Sequence, residues 1–246
     1  MKPKIRLEDI KEFKIERKVF DDKTLFAIYK LMVKGFVKTV ESIAKEGKES
    51  VVLSGKDANG KWLAIKIYRI EYSNFRRMWE YLTEDPRFSN VKKSRRSVVY
   101  NWCRREFKNL KIAYSASVSC PKPITFNENV LVTEFIGKNG ILAPMLIDLK
   151  FSQRDAQLIY EAALNEIEKI LKAGLVHTDF SAYNILFFDK IFIIDFSQAV
   201  TFKHERVKEF LKRDIKNINS YFKKLDVRLE DEEELFNNLI KIAGLK

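Results

Sequence analysis

The sequence predicts an α+β fold of two lobes with a cleft between them. Three observations carry the prediction. Runs with strand character and hairpin signals lie between Phe36 and Phe135. Long stretches with helical periodicity dominate from Gln153 onward. Only 8 glycines and 5 prolines occur in 246 residues, so those present mark joints, and the texture changes around Gly137. The division expected is an N-terminal helical extension over residues 1–35, an N-lobe over 36–136 and a C-lobe over 137–246, hinged between Glu134 and Gly140.

The elements follow in order. Leu25, Ile28, Leu31 and Met32 recur at helical spacing. Asp21 or Asp22 caps that helix and Gly35 ends it. Residues 36–43 and 50–54 read as strands joined at Gly47. Asp57-Ala58-Asn59-Gly60 is a hairpin signal, because Asn-Gly accepts positive φ, and 62–68 is the returning strand. A long helix is expected over 98–115, around Trp102, Glu106 and Leu110. Strands 123–126 and 130–135 bracket Asn127-Glu128-Asn129. A helix over 153–173 stops at Gly174, a C-cap glycine. Two brief apolar runs, 185–188 and 191–194, come next. Helices over 205–224 and 229–243 close the chain, the second favoured by acidic residues 230–234 at its start.

Apolar residues make up 46% of the chain and charged residues 33%, the proportions of a packed protein rather than a disordered one. No apolar run approaches the roughly 20 residues that span a bilayer. The opening from Met1 to Glu16 is charged and lacks the apolar stretch of a secretory signal. Cys103 and Cys120 are therefore expected as reduced, buried thiols in a cytoplasmic protein without membrane association. Lys and Arg number 46 against 34 Asp and Glu, a formal charge of +12. Such an excess favours polyanionic partners such as RNA or ribosomal particles. A dispersed, solvated lysine surface is the alternative.

Chemistry concentrates in His177-Thr178-Asp179-Phe180-Ser181-Ala182-Tyr183-Asn184, followed 11 residues after Asn184 by Asp195 in Phe192-Ile193-Ile194-Asp195-Phe196. One loop after a helix carries Asp179 and Asn184. The two apolar runs form a small hairpin that returns Asp195 beside them. Two carboxylates and an amide oxygen suit a hard divalent cation, Mg²⁺ above all, bridging phosphates. Phosphoryl transfer needs mainly positioning and charge neutralisation, so the pattern predicts an ATP-dependent phosphotransferase. Singly, these residues would cap a turn or end a strand; the spacing of all three points to a site. Lys66, in Ala64-Ile65-Lys66-Ile67-Tyr68, can reach phosphates from a strand while its stem packs inside. Glu106 is the carboxylate expected to hold it. Gly47, with Lys48 and Ser50, lies between two strands where backbone amides can meet phosphate.

These residues resemble the RIO family of atypical protein kinases, and most closely its type-one branch. The resemblance rests on Gly47-Lys48-Glu49, Ile65-Lys66-Ile67-Tyr68-Arg69-Ile70-Glu71, Arg105-Glu106-Phe107, the segment from Leu175 to Ile185, and Ile194-Asp195-Phe196-Ser197-Gln198-Ala199-Val200. It extends from about Val19 to the C-terminal helices. Too few residues precede Val19 for the winged-helix domain of the type-two branch. The H-x-D-x-x-x-x-N and I-D-F elements are similar to the catalytic and metal loops of protein kinases. The resemblance implies a two-lobed, protein-kinase-like fold with a truncated C-lobe. It implies ATP with Mg²⁺ (or Mn²⁺), serine autophosphorylation, ATPase turnover and a role in maturing the small ribosomal subunit. The partner is then the pre-small-subunit particle or its rRNA, not DNA. Asp179 would orient or deprotonate the acceptor, Asn184 and Asp195 would hold metal, and Asp195 would carry phosphate transiently. The Glu134 carbonyl and the Ile136 amide would meet adenine through the backbone. Ser94 aligns best with an autophosphorylated flexible loop. It lies in the basic stretch 83–97 with Ser89, Ser97, Arg87, Lys92, Lys93, Arg95 and Arg96, which is expected to be poorly ordered without ligand. A solvated basic loop is the alternative.

The chain departs from the family in three places. Lys45-Glu46 stands where Ser-Thr is usual, which removes hydroxyls and brings Glu46 near negative charge. Thr178 replaces Ala or Gly, and Ala182 replaces an acidic residue. His204, with no second His nearby, reads as a surface residue. Asp214 either braces the catalytic loop from a helix or is a plain surface aspartate. Two other functions compete. One is a small-molecule phosphotransferase of the aminoglycoside type, against which the short basic C-terminal half argues. The other is a non-catalytic, nucleotide-gated ribosome- or RNA-binding protein.

Overall fold

A computed structural model of the chain describes residues 21–88 and 91–245; the opening Met1 to Glu16, Val19 and Ser89 lie outside them. The described residues fall into two compact units, 21–107 with 123–142, and 108–122 with 143–245.

In the first unit, helix α1 spans Asp22–Val33. Asp21 caps it, accepting the Thr24 N–H at 2.8 Å. Gly35, at φ +80°, and Phe36, whose N–H reaches the Leu31 carbonyl, close the helix. That closure is why strand β1, Thr39–Glu46, begins three residues later than the sequence predicts. Strands β2 (Ser50–Lys56), β3 (Trp62–Tyr68), β4 (Pro123–Asn127) and β5 (Val130–Glu134) complete an antiparallel sheet in the order β1-β2-β3-β5-β4. The Asp57–Gly60 turn is real: Asp57 Oδ1 takes the N–H groups of Asn59 and Lys61, and Gly60 has φ +79°. Side chains alternate across a strand. One face of the sheet, with Val40, Val51, Leu53, Leu63, Ile65, Ile67, Val130 and Val132, packs on Ala27, Ile28, Leu31 and Met32 of α1. Gly55 lets β1 and β2 approach, since a Cβ there would lie 2.6 Å from the Thr39 carbonyl oxygen.

A helix absent from the sequence reading, α2, spans Phe75–Thr83 with Asn74 as its cap. Its apolar spacing is present in Phe75, Met78, Trp79 and Leu82, but charged residues interrupt it and only Met78, Tyr81 and Leu82 are buried. Helix α3 spans Arg95–Ser115 and passes from the first unit to the second after Phe107. Tyr81 of α2 meets Trp102 of α3 edge-on, 6.0 Å between ring centroids. Asp85, just after α2, pairs with Arg87 at 2.6 Å and with the fully buried Arg105 at 3.3 Å. A short hairpin of β6 (Gly137–Lys138) and β7 (Ile141–Leu142) ends the unit.

The second unit is built around helix α4, Gln153–Lys172, which buries Ala156, Ile159, Tyr160, Ala163, Ile167, Ile170 and Leu171 along one face. Gly174 follows at φ +76°, and strand β8 is Leu175–Val176. Strands β9 (Ile185–Phe188) and β10 (Lys190–Ile193) form the expected hairpin, turned by Asp189 at φ +60°. Strand β11, Val200–Thr201, pairs with β8. Helices α5 (Val207–Phe222) and α6 (Glu232–Ala243) close the unit. Cys103 and Cys120 are free and buried. No helix among the described residues is long and apolar enough to cross a membrane.

Candidate active site

Each unit organises one set of the residues singled out by the sequence. In the first unit, the alternation that turns Leu63, Ile65 and Ile67 toward α1 turns Lys66 and Tyr68 to the opposite face. There Lys66 Nζ lies 2.9 Å from Glu106 Oε1 of α3. The Tyr68 hydroxyl donates to Glu106 Oε2, and Lys66 Nζ sits 4.8 Å from the Tyr68 ring centroid. Glu106 is 3% exposed, so its charge depends on these partners rather than on water. Burial, and the neighbouring Glu106 carboxylate, push the Cys103 thiol well above its usual range, which keeps it protonated and unreactive.

Gly47 and Lys48 occupy the exposed turn between β1 and β2, closed by the Gly47 N–H on the Ser50 carbonyl at 2.9 Å. Glu46, the residue out of keeping with a phosphate loop, is paired with Arg69, which offsets its charge. Glu134 ends β5; its carbonyl accepts the Thr133 hydroxyl at 3.1 Å and its side chain pairs with Lys61 at 3.3 Å. Ile136 follows, buried. Ser94 precedes α3, its carbonyl accepting the Val98 N–H at 2.9 Å and its exposed hydroxyl the Ser97 N–H at 3.4 Å.

In the second unit, β8 delivers the chain into the loop of His177 to Asn184. Asn184 Nδ2 donates to Asp179 twice, to the main-chain oxygen at 2.9 Å and to Oδ2 at 3.0 Å. With its amide nitrogen so engaged, Asn184 presents Oδ1 as the remaining donor of lone pairs. The Ile194 N–H bonds the Asn184 carbonyl at 2.9 Å, so Asp195 leaves β10 next to Asn184. Asp195 has φ +62°, and its Oδ1 accepts the Ser197 hydroxyl at 2.6 Å. The pairing of β11 with β8 brings Gln198 alongside: its carbonyl accepts the Thr178 hydroxyl at 3.1 Å, and its amide reaches Asp179 Oδ2 at 3.5 Å. His177 is a core residue. Its Nε2 meets the Ile194 carbonyl at 3.1 Å, and its ring lies edge-on to Phe196 at 4.8 Å.

Asp214 of α5 is the brace, not a surface aspartate. It accepts the N–H groups of Thr178 at 2.7 Å and Phe180 at 2.9 Å, on either side of Asp179. Burial pushes its carboxyl up to about 7, against the lowering pull of those two N–H bonds. Arg213 donates to the Thr178 carbonyl. His204 is likewise not the surface residue expected: it is buried, takes the Arg206 N–H on Nδ1 at 3.1 Å and rests on Phe210.

Among the described residues, no three His, Cys, Asp or Glu side chains gather into a metal cage. The donors present are the Asp195 carboxylate and the Asn184 amide oxygen. Two hard oxygens fit Mg²⁺, which completes its shell with phosphate and water. Sequence reasoning missed Tyr68, Asn109, Gln198 and Arg213. Tyr68 stands two residues from Lys66 on the same strand face, a signal that was readable. Asn109, fully buried, holds the segment after Asp195 by donating to the carbonyls of Phe196 at 2.9 Å and Ala199 at 2.8 Å. Nothing local in the sequence reports that contact.

The chain matches the sequence profile of the RIO domain over residues 51–235. It is 41% identical over 225 residues to the RIO-type serine/threonine-protein kinase Rio1 of Haloferax volcanii, covering 90% of this chain and 76% of that protein. It is 32% identical to the human serine/threonine-protein kinase RIO1, covering 94% of this chain but only 41% of the human protein. Its fold is similar to that of the Rio2 kinase from Chaetomium thermophilum, solved as an ADP/Mg²⁺-phosphoaspartate complex. The TM-score is 0.67 at 21% identity, over 90% of this chain and 71% of that one.

Proposed function

We propose, from the premise that this chain belongs to the RIO family of atypical protein kinases, that it transfers the γ-phosphoryl group of ATP to serine and also hydrolyses ATP. The observation that carries this reading is the loop in which Asp214 holds both N–H groups flanking Asp179, while Asn184 holds Asp179 itself. A carboxylate fixed in that way is suited to orient an acceptor hydroxyl and take its proton. Lys66, fixed by Glu106, supplies positive charge for phosphate oxygens. Asn184 and Asp195 would hold Mg²⁺, which neutralises the charge on the transferring group.

Asp195 is also the proposed transient acceptor. One of its carboxylate oxygens attacks the γ-phosphorus as the bond to ADP breaks; water then attacks the same phosphorus and the carboxylate leaves with phosphate released. Ser94, exposed at the start of α3, is the proposed site of stable self-labelling. The basic charge of +12 supports a pre-small-subunit particle or rRNA as partner. The reduced, buried cysteines support the cytoplasm.

The test is incubation of the purified chain with γ-labelled ATP and Mg²⁺, followed by treatment with hydroxylamine, which cleaves acyl phosphates but not phosphoserine. Self-labelling in two fractions is expected, the labile one lost in Asp195→Ala and the stable one reduced in Ser94→Ala. Labelling confined to an added small molecule would point to a small-molecule phosphotransferase. Binding to ribosomal particles with no turnover would point to a nucleotide-gated binding protein.

A further inference from the structure

Glu106 is held at both oxygens, and only one of its partners is explained by the proposed reaction. Lys66 takes Oε1. The other oxygen takes the hydroxyl of Tyr68, which is itself buried. The terminal torsion of a glutamate is soft, so a carboxylate tied at one oxygen turns easily. Tied at both, its plane is fixed and Lys66 Nζ has a defined seat. Removing the hydroxyl would release that torsion and take a hydrogen bond from a desolvated carboxylate oxygen.

Tyr68 is the last residue of β3, where the ladder to β5 has already ended at Ile67 opposite Val130. Asn129 extends the pairing by one residue. Its carbonyl accepts the Tyr68 N–H at 2.9 Å, and its side-chain amide donates to the Tyr68 carbonyl at 2.8 Å. The same buried amide donates to the Thr24 hydroxyl, in the first turn of α1, at 2.9 Å. Asn127 adds a second tie, to the Ala27 carbonyl, at 2.9 Å.

Helix α1 is also bonded to the helix that carries Glu106. Asp21, its cap, pairs with Arg96 of α3. Lys30 pairs with Glu128 at 3.4 Å, and burial, with the Glu128 carboxylate nearby, pushes the Tyr100 hydroxyl of α3 above its usual range. So α1 grips the end of the strand bearing Lys66 and the start of the helix bearing Glu106, although it packs on the sheet face opposite to both.

We propose that Tyr68 is a positioning residue for the Lys66–Glu106 pair, and that docking of α1 holds Tyr68 in place through Thr24 and Asn129. The inference rests on the reading that Lys66 serves the phosphates of ATP.

The experiment measures kcat and KM for ATP in the full chain by ADP release, with folding followed by thermal melts. Tyr68→Phe is expected to lower kcat about tenfold, the loss of one hydrogen bond to a charged group, with KM changed less than about twofold. In the Glu106→Gln background the same substitution should add less than about twofold, because its effect passes through Glu106. A purely structural role for Tyr68 would lower stability equally in both backgrounds and show no such coupling in kcat. Thr24→Val should lower kcat about threefold and Thr24→Ser should restore it, about the worth of one neutral hydrogen bond. If Tyr68→Phe melts below the assay temperature, the Thr24 pair still decides. The inference is overturned if Glu106→Gln lowers kcat while Tyr68→Phe and Thr24→Val do not, or if the Tyr68→Phe loss is undiminished in the Glu106→Gln background. If Lys66→Ala and Glu106→Gln both turn over ATP as the native chain does, the assignment of Lys66 fails, and the inference with it.

Discussion

Asp214→Ala separates the energetic role of the brace from its catalytic one. The substitution leaves the N–H groups of Thr178 and Phe180 buried without their acceptor. Each such group costs about 1–3 kcal/mol, so about 2–6 kcal/mol together. It also removes a carboxyl that burial pushes from 3.8 to about 7. Keeping that group ionised in the fold costs about 4 kcal/mol at pH 8, at roughly 1.4 kcal/mol per tenfold. The two effects oppose each other, and the net change at pH 8 is expected within about 2 kcal/mol. The sign with pH follows from linkage. Between 3.8 and about 7 the native state holds a proton that the unfolded chain has released. This residue's contribution to stability therefore falls as pH rises through that window. At pH 5 most of the burial cost is absent from the native protein, so the variant's deficit should be about 3 kcal/mol larger at pH 5 than at pH 8. Turnover at pH 8 should fall at least about a hundredfold, because the N–H groups of Thr178 and Phe180, the residues on either side of Asp179, lose their anchor. Urea melts at the two pH values and ADP release at pH 8 measure all three quantities. Turnover within about threefold of the native chain would refute the bracing role, and an equal deficit at the two pH values would refute the titration.

Lys66→Met takes the cation from the buried Glu106 carboxylate, which keeps the Tyr68 hydroxyl, and should cost about 3 kcal/mol in a thermal melt. The double variant Lys66→Met with Glu106→Gln should regain most of that stability without regaining ATP turnover. Thr178→Gly relieves a left-handed β-branched residue but loses the bond to the Gln198 carbonyl, so its urea midpoint should lie close to the native one. Thr178→Val keeps the strain and loses the bond, and should cost about 1–2 kcal/mol. Gly55→Ala would force a Cβ to 2.6 Å from the Thr39 carbonyl oxygen and 2.8 Å from Ile65 Cδ1, destabilising the fold by about 2 kcal/mol or more. Its turnover per folded molecule should be unchanged, which a melt paired with an ADP-release assay would check.

Most elements were legible because local signals and burial agreed. The alternation in Trp62 to Tyr68, with the Asn-Gly turn before it, marks both ends of that strand. The end of helix α4 is legible to within a residue, since Gly174 stops it in the sequence and sits at φ +76° in the fold. Helix α2 leaves only a faint pattern. Its two half-exposed aromatics and the intervening Arg76, Arg77 and Glu80 blur a stripe that only packing against Trp102 makes evident. At the candidate site, the short loop and hairpin between Asp179, Asn184 and Asp195 make their proximity legible from spacing. The supports of those residues come from afar: Asn109 reaches the segment after Asp195 across 87 and 90 residues, and Asp214 reaches the loop across 34 and 36. A side-chain amide that caps two distant carbonyls leaves no pattern in its own neighbourhood.

The backbone explains why the supports are so numerous there. Thr178 and Asp195 both adopt left-handed φ, +69° and +62°, where glycine would be at ease. The role proposed for Asp195 needs a carboxylate, which glycine lacks, so the surrounding structure must hold its left-handed backbone. Ser197 bonds its carboxylate, and Asn109 fixes the carbonyls beyond it. Thr178 is held through its N–H by Asp214, through its carbonyl by Arg213 and through its hydroxyl by Gln198. Each strained residue thus adjoins a chemical group that must point in one direction, and each is over-determined by bonds from elsewhere in its unit. Thr178 illustrates the consequence. A residue that departs from the family's usual Ala or Gly adds strain, and in the same step adds a hydroxyl that links the catalytic loop to the chain beyond Asp195.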